Sequence, residues 1–298
     1  MDPVAADPLL EAGNAIVTLD VLHSGVIWTW YVTMNFWAKS VATGVMLLLP
    51  WLLMKYEVPK LRLKAAIISV LFINITLLFT VLDLHQPFRF WHIFAYTQTR
   101  SVIALGAWLL TFFNFLAMGM AGLAFMKRDA LYDKLLPVQW VLSFFATIYT
   151  AGLLGQANAR ELWMAPTETA QMLLAATLAG SAAFLLIGAG GEQARRPLGQ
   201  VLGISAFVSA TIFVMELVFG PQKSEEAQHL VHILTSGELA TVFWPGLIVG
   251  FLVPIALVLV GGRKPSAGLM AGAAIASLIG LWLVKHAWLI APQLVPLS

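Results

Sequence analysis

The sequence predicts an all-α protein that crosses a membrane eight times, and three observations carry that expectation. Of the 298 residues, 60% are hydrophobic and only 11% are charged, against about a quarter charged in a soluble domain. The apolar residues gather in eight runs, each able to supply the ~20 helical residues that cross a hydrocarbon core. No long polar segment interrupts them; the longest connections on one side are about 84–100 and 220–238.

The first run, about 25–53, is longer than a crossing needs, so it tilts or projects beyond the bilayer; Pro50 should kink or end it. The second, about 65–83, follows Lys55, Lys60, Arg62 and Lys64 and closes on Asp83. The third, about 101–126, stops at Lys127 and Arg128, and the fourth, about 136–156, begins after Lys134. The fifth, about 167–189, is followed by Arg195 and Arg196, and the sixth, about 199–219, carries Glu216 near its end. The seventh, about 239–261, contains Pro245 and Pro254, which should bend it. It stops at Arg263 and Lys264, ahead of the eighth, about 267–291.

Those basic residues fall on alternate connections. Arg89, Arg100, Arg160 and Lys223 lie on the other set, among several acids. The positive-inside rule puts the first set in the cytoplasm and both termini outside, in the periplasm of a bacterial inner membrane. Met1 to Asp20 holds four acids and no Lys or Arg, so the basic start of a secretory signal is not visible. A net charge of +2 gives no argument for nucleic acid.

All six histidines then lie on the outer side: His23, His85, His92, His229, His232 and His286. Asp83, Glu216, Glu238 and Lys285 sit at the same level. Headgroup anchoring accounts for any one of them; together they suggest a proton-handling layer, because lipid penalises ionisable groups. Helix 1 adds Tyr31, Asn35 and Lys39, spaced by four and therefore on one helix face. Lys39 falls near mid-membrane and should face the protein interior, with Asn74 and Asn114 as partners at that depth. The plainer reading of the asparagines is interhelical hydrogen bonding.

There is no cysteine, so the chain supplies no thiolate for an Fe–S cluster. No histidine pair lies at helix depth, where a membrane b-type haem is usually held. Without its own electron carrier, a redox role requires a bound quinone close to a partner's cluster. A quinone site needs an apolar cleft, hydrogen-bond donors and a proton route, residue types that helix 1 and the outer layer provide.

These residues resemble the NrfD/PsrC family of polysulfide-reductase-type membrane subunits. The resemblance spans nearly the whole chain. It rests on His23 ahead of an aromatic helix ending in Ala42-Thr43-Gly44, and on Leu82-Asp83-Leu84-His85-Gln86-Pro87-Phe88-Arg89-Phe90-Trp91, which is similar to the family's D-L-G-R-P-x-R-F-W segment. Ser101 to Trp108 and Arg160-Glu161-Leu162-Trp163-Met164-Ala165-Pro166 resemble two further family segments. The sequence departs from the pattern at His85-Gln86. The resemblance implies a haem-free subunit docked outside on a periplasmic Fe–S protein with several 4Fe–4S clusters, itself docked on a molybdenum- or tungsten-pterin catalytic subunit. It implies that His23 hydrogen-bonds a quinone carbonyl near the outer surface of the first bundle. Tyr149 is implied as a second donor, with Arg160 and Trp163 shaping the outer edge.

The expectation is therefore a single integral membrane domain over 1–298, eight transmembrane helices in two adjoining bundles, both termini outside. Its function is exchange of electrons between menaquinone or ubiquinone and an Fe–S partner. His23, Tyr31, Asn35, Tyr149, Arg160 and Trp163 are the quinone candidates. Lys39, Asp83, His85, Glu216 and Glu238 are the proton-route candidates, and no metal is expected. A transporter or channel, and an anchor with no redox site, are the rivals. Absence of paired broken helices and a polar layer on one side favour the quinone site.

Overall fold

The computed structural model describes residues 25–56, 58, 60–157, 160–189 and 191–295. Eight helices in it are long and apolar enough to cross a membrane: α1 (Trp30–Lys55), α2 (Leu61–Asp83), α3 (Val102–Phe125), α4 (Asp129–Leu154), α5 (Ala165–Leu186), α6 (Gly191–Phe219), α7 (Ala240–Gly261) and α8 (Ala267–Ile290). Hydroxyl side chains cap several of them at the start. Thr29 accepts from the Tyr31 N–H, Ser101 from Ala104 and Ser266 from Leu269, each satisfying an N–H that the first helical turn leaves open.

α1 to α4 form one bundle and α5 to α8 a second. α1 and α5 make the seam, with α1 also touching α2, α4 and α8. Helices in lipid gain nothing from burying apolar surface against one another, so close approach of backbones matters more. Gly44 of α1 lies against Gly180 of α5, where a Cβ at either position would overlap the opposite backbone. Gly246 and Gly250 of α7 face α8 near Gly280 in the same way.

α7 is not regular. It changes to a π-turn over Ile248–Leu252 before continuing as Val253–Gly261. Pro254 explains this: it has no N–H to donate and its ring displaces the carbonyl four residues earlier. Pro50, by contrast, lies inside α1, which continues to Lys55.

The described ends of the chain meet on one face. Gln293 Oε1 accepts from the backbone N–H groups of Ile27 and Trp28 at 3.0 and 2.8 Å, and its Nε2 donates to the Trp28 carbonyl at 2.9 Å. His85, His92, His229 and His232 belong to connections on this face, and His286 to the adjacent part of α8. The α1–α2, α3–α4, α5–α6 and α7–α8 connections lie at the opposite, basic face.

Three helices start earlier than hydropathy indicates: α2 at Leu61 rather than 65, α4 at Asp129 rather than 136, and α6 at Gly191 rather than 199. The extra turns carry charge and lie at the basic face, so an apolar window misses them. Arg62 fixes two of them together, donating to both carboxylate oxygens of Asp133 at 2.8 and 2.7 Å and approaching Asp129 at 3.8 Å. α1 instead starts later, at Trp30 rather than 25: Gly25 has φ +70° and Thr29 is the extended N-cap, while residues 27 and 28 give their N–H groups to Gln293.

Candidate functional site

A cavity of about 410 Å³ opens inside the first bundle. α1, α2, α3 and α4 wall it, and the connection after α2 covers the end nearer the histidine face. Phe79, Phe94, Leu110 and Phe115 make much of its apolar lining, while Asn35, Asp83, Asn114 and Tyr149 bring polar groups to it. The volume lies in the range of small-molecule sites, and the pattern of few polar groups on an apolar wall is typical of them.

Asn35 is fixed by α2. Its Nδ2 donates to the Thr76 carbonyl at 3.3 Å and to the Thr80 hydroxyl at 2.5 Å, and Thr80 donates to the Thr76 carbonyl at 2.8 Å. The side-chain oxygen of Asn35 is left as the group to offer a ligand. Tyr149 is held by close approach of α3: a Cβ on Gly106 would collide with its ring. Lys39 lies just beneath, fully buried, its amine 4.5 Å from the Tyr149 ring centroid and donating to the Thr150 hydroxyl. A cation over an aromatic face is attracted by the ring quadrupole, which gives this amine a partner where lipid offers none.

The Arg160–Trp163 segment serves the cavity from behind. Trp163 stacks on Trp28 with centroids 5.2 Å apart and planes at 24°, and Trp28 lines the cavity. Between them in sequence, Leu162 adopts φ +67°, a conformation uncommon for a bulky residue, which turns the chain so that Trp163 points inward. Arg160 donates to the carbonyls of Pro292 and Val295, so it clamps this loop to the C-terminal segment. Partial burial pulls its guanidinium below the ordinary arginine value. Arg160 does not line the cavity; its loop approaches the wall through Trp163, which stacks on the lining residue Trp28.

The remaining candidates divide. Asp83 lines the cavity. Tyr31 does not; it packs on Phe79, which does, with centroids 6.0 Å apart. His85 is exposed on the covering connection. Glu216 pairs with Lys223 at 2.9 Å and receives a 3.4 Å hydrogen bond from Thr167, and Glu238 is exposed; both belong to the second bundle, away from the cavity. His23 lies outside the described residues. Asn74 and Asn114 are not partners of Lys39: they bond each other at 3.2 Å between α2 and α3, and Thr150 takes their expected place.

A second, small chamber of about 20 Å³ lies between the bundles and was not expected from the sequence. Glu168 of α5 and Lys285 of α8 line it, both buried. Trp288 Nε1 donates to Glu168 Oε1 at 2.8 Å, while Lys285 reaches the Met172 sulfur at 3.4 Å. Glu168 stands in the first turn of α5, an ordinary place for an acid; the three-residue spacing of Lys285 and Trp288, which puts both on one face of α8, is the available sequence signal. Trp163 closes the chamber, and its Nε1 has no partner among the described residues.

Among the described residues, no three His, Asp or Glu side chains converge as a metal site would require. A family model, described as polysulphide reductase, NrfD, matches residues 18–296. The sequence is also 24% identical, over 305 aligned residues, to the C subunit of polysulfide reductase from Wolinella succinogenes; the alignment covers 91% of this protein and 96% of that one.

Proposed function

Because the chain belongs to the NrfD polysulphide reductase family, we propose that it is the membrane subunit of a reductase complex and that it reacts with quinone or quinol. The observation that carries this reading is the apolar cavity in the first bundle, with Asn35, Asp83 and Tyr149 on its wall. A quinone is the substrate, exchanging two electrons and two protons. The aromatic and leucine walls exclude water and take the ring. Tyr149 donates to one carbonyl, and Asn35, whose Nδ2 is already committed to α2, orients the quinol hydroxyl through its oxygen. Asp83 is the proton-exchanging carboxyl at the histidine-face end.

Electrons pass to or from an Fe–S partner on the histidine face, the end nearest the cavity cover. Phe88, Trp91 and Tyr96 are exposed there, on the covering connection. A molybdenum- or tungsten-pterin subunit completes the complex; the relative's designation as a C subunit implies an enzyme of several subunits. The protein sits in a bacterial inner membrane with its basic face in the cytoplasm. A transporter or channel, or an anchor without redox chemistry, predicts a different composition.

The test is purification through a tag on this protein in mild detergent, with extraction of bound quinone and measurement of iron, molybdenum and tungsten. Quinone, several iron atoms and about one molybdenum or tungsten per complex are expected. A preparation with neither metal nor quinone overturns the proposal.

A further inference from the structure

The small chamber between the bundles shares a wall with the cavity of the first bundle. Phe36 of α1 lines both spaces. Trp28 and Val32, on the cavity side, pack in one apolar cluster with Phe36, Leu154 and Trp163, which line the chamber. A group that fixes Trp163 from the chamber side therefore fixes part of the cavity wall, through the stack of Trp163 on Trp28.

The polar groups of the chamber are only partly satisfied. Trp288 Nε1 donates to one oxygen of Glu168, and no other hydrogen bond reaches that carboxylate among the described residues. Lys285 Nζ has the Met172 sulfur at 3.4 Å, a weak acceptor, whereas an ammonium carries three N–H groups. Gln171 is committed elsewhere: its Nε2 donates to the Ser209 carbonyl at 3.2 Å and its Oε1 accepts from the Ser209 hydroxyl. Trp163 Nε1 is buried and has no partner among the described residues. Glu168, Lys285 and Trp163 are only 3%, 8% and 5% exposed, yet Glu168 and Lys285 form no ion pair among the described residues. Opposite charges buried apart, with an unfilled N–H beside them, are costly unless something bridges them.

Space and charge select the bridge. The chamber's volume of about 20 Å³ exceeds the ~10–15 Å³ that one water needs and admits little more. A cation there meets Lys285, and an anion meets Glu168. Water is neutral, accepts two hydrogen bonds and donates two. We propose that the chamber is a single-water site, in which the water accepts from Trp163 Nε1 and Lys285 Nζ and donates to Glu168. The Glu168–water–Lys285 bridge latches α5 to α8 and holds the edge of Trp163, and through it Trp28, in place behind the cavity. Glu168 and Lys285 are then positioning residues for the quinone: they touch neither it nor its protons, and they shape the wall it binds against. That consequence rests on the quinone reading; the water site does not.

The test begins with electron cryo-microscopy of the complete complex, partner subunits included, at a resolution that shows ordered water. Density within hydrogen-bond reach of Trp163 Nε1, Lys285 Nζ and Glu168 is expected. A dry chamber, or Lys285 closed directly onto Glu168, overturns the proposal. Lys285→Met removes the charged donors. It should abolish the density and raise KM for a short-chain quinone about fivefold, the worth of one hydrogen bond. Turnover at saturation should stay within about twofold, because binding is lost and not chemistry. A lone Glu168 left buried can block assembly. Glu168→Gln combined with Lys285→Met removes both charges, keeps an oxygen for Trp288, and should show the same rise. A wild-type KM in whichever variant assembles, or a fall in kcat at constant KM, overturns the latch. Absence of quinone-linked turnover in the wild-type complex overturns the quinone reading and the positioning role with it; the map alone then decides the water.

Discussion

Arg160 and Tyr149 were both candidates for touching quinone, and their surroundings now separate them. Tyr149 is on the cavity wall, while Arg160 ties its loop to two carbonyls of the C-terminal segment. Tyr149→Phe removes one hydroxyl and leaves the ring that Gly106 and Lys39 pack against. It should lower quinone-linked turnover roughly tenfold, the worth of a lost hydrogen bond of about 1.4 kcal/mol, with the thermal midpoint unchanged. Arg160→Met should do the reverse. It removes charge-assisted bonds at a partly exposed site, costing about 1 kcal/mol after allowance for solvent, and should lower the thermal midpoint while turnover per folded complex persists. Equal turnover losses in the two variants would contradict this division. The sequence made Asn35 and Lys39 legible because polar residues at four-residue spacing in an apolar helix stand out. Thr150 and Glu168 were not legible. A threonine in a membrane helix is common, and an acid three residues into a helix reads as an interfacial residue until the neighbouring helices close over it.

At the scale of the helix, the seam between bundles depends on two glycines. A Cβ on Gly44 would overlap the Ala176 backbone, and one on Gly180 would overlap Gly44 itself; neither obstacle is a side group that can rotate away. Gly44→Ala should therefore push α1 from α5 and cost about 3 kcal/mol, the upper part of the usual overpacking range. Gly119→Ala is the control, since nothing lies within 4 Å of its Cβ position and Ala is the better helix former. Thermal unfolding of the two variants in detergent checks the contrast, and similar midpoints would show that the crossing is not tight. Element number and order were readable from eight apolar runs because lipid demands continuous apolar helix. Helix starts were not. Asp129, Asp133 and Arg62 look like loop residues by hydropathy, yet Arg62 pairs with both aspartates and the turns that carry them are helical. The π-turn of α7 was foreshadowed only as a bend at Pro254.

At the scale of the whole molecule, the two faces differ in kind, and that difference was visible in the sequence as alternating charge. The cavity was not visible, because its volume is a property of four helices packing around large aromatic side chains rather than of any one segment. Its position inside the first bundle and toward the histidine face has a consequence for assembly. On the proposed quinone reading a partner that exchanges electrons covers this face, so residues exposed on it in the isolated protein should become protected in the complex. The absence of native cysteine makes the measurement direct. Lys127 is exposed beside the α3–α4 turn on the basic face, and Glu225 is exposed at the start of the helix Glu225–Thr235 on the other. In cells making this protein alone, a membrane-impermeant maleimide added outside the inner membrane should label Glu225→Cys. It should reach Lys127→Cys only after permeabilisation. Co-expression of the partner subunits should slow labelling of Glu225→Cys and leave Lys127→Cys unaffected. The opposite pattern of access would invert the proposed orientation and place the proposed Fe–S partner in the cytoplasm. Labelling of Glu225→Cys that ignores the partners would place the docking surface elsewhere on the histidine face, with the exposed Phe88–Trp91 segment the next position to substitute.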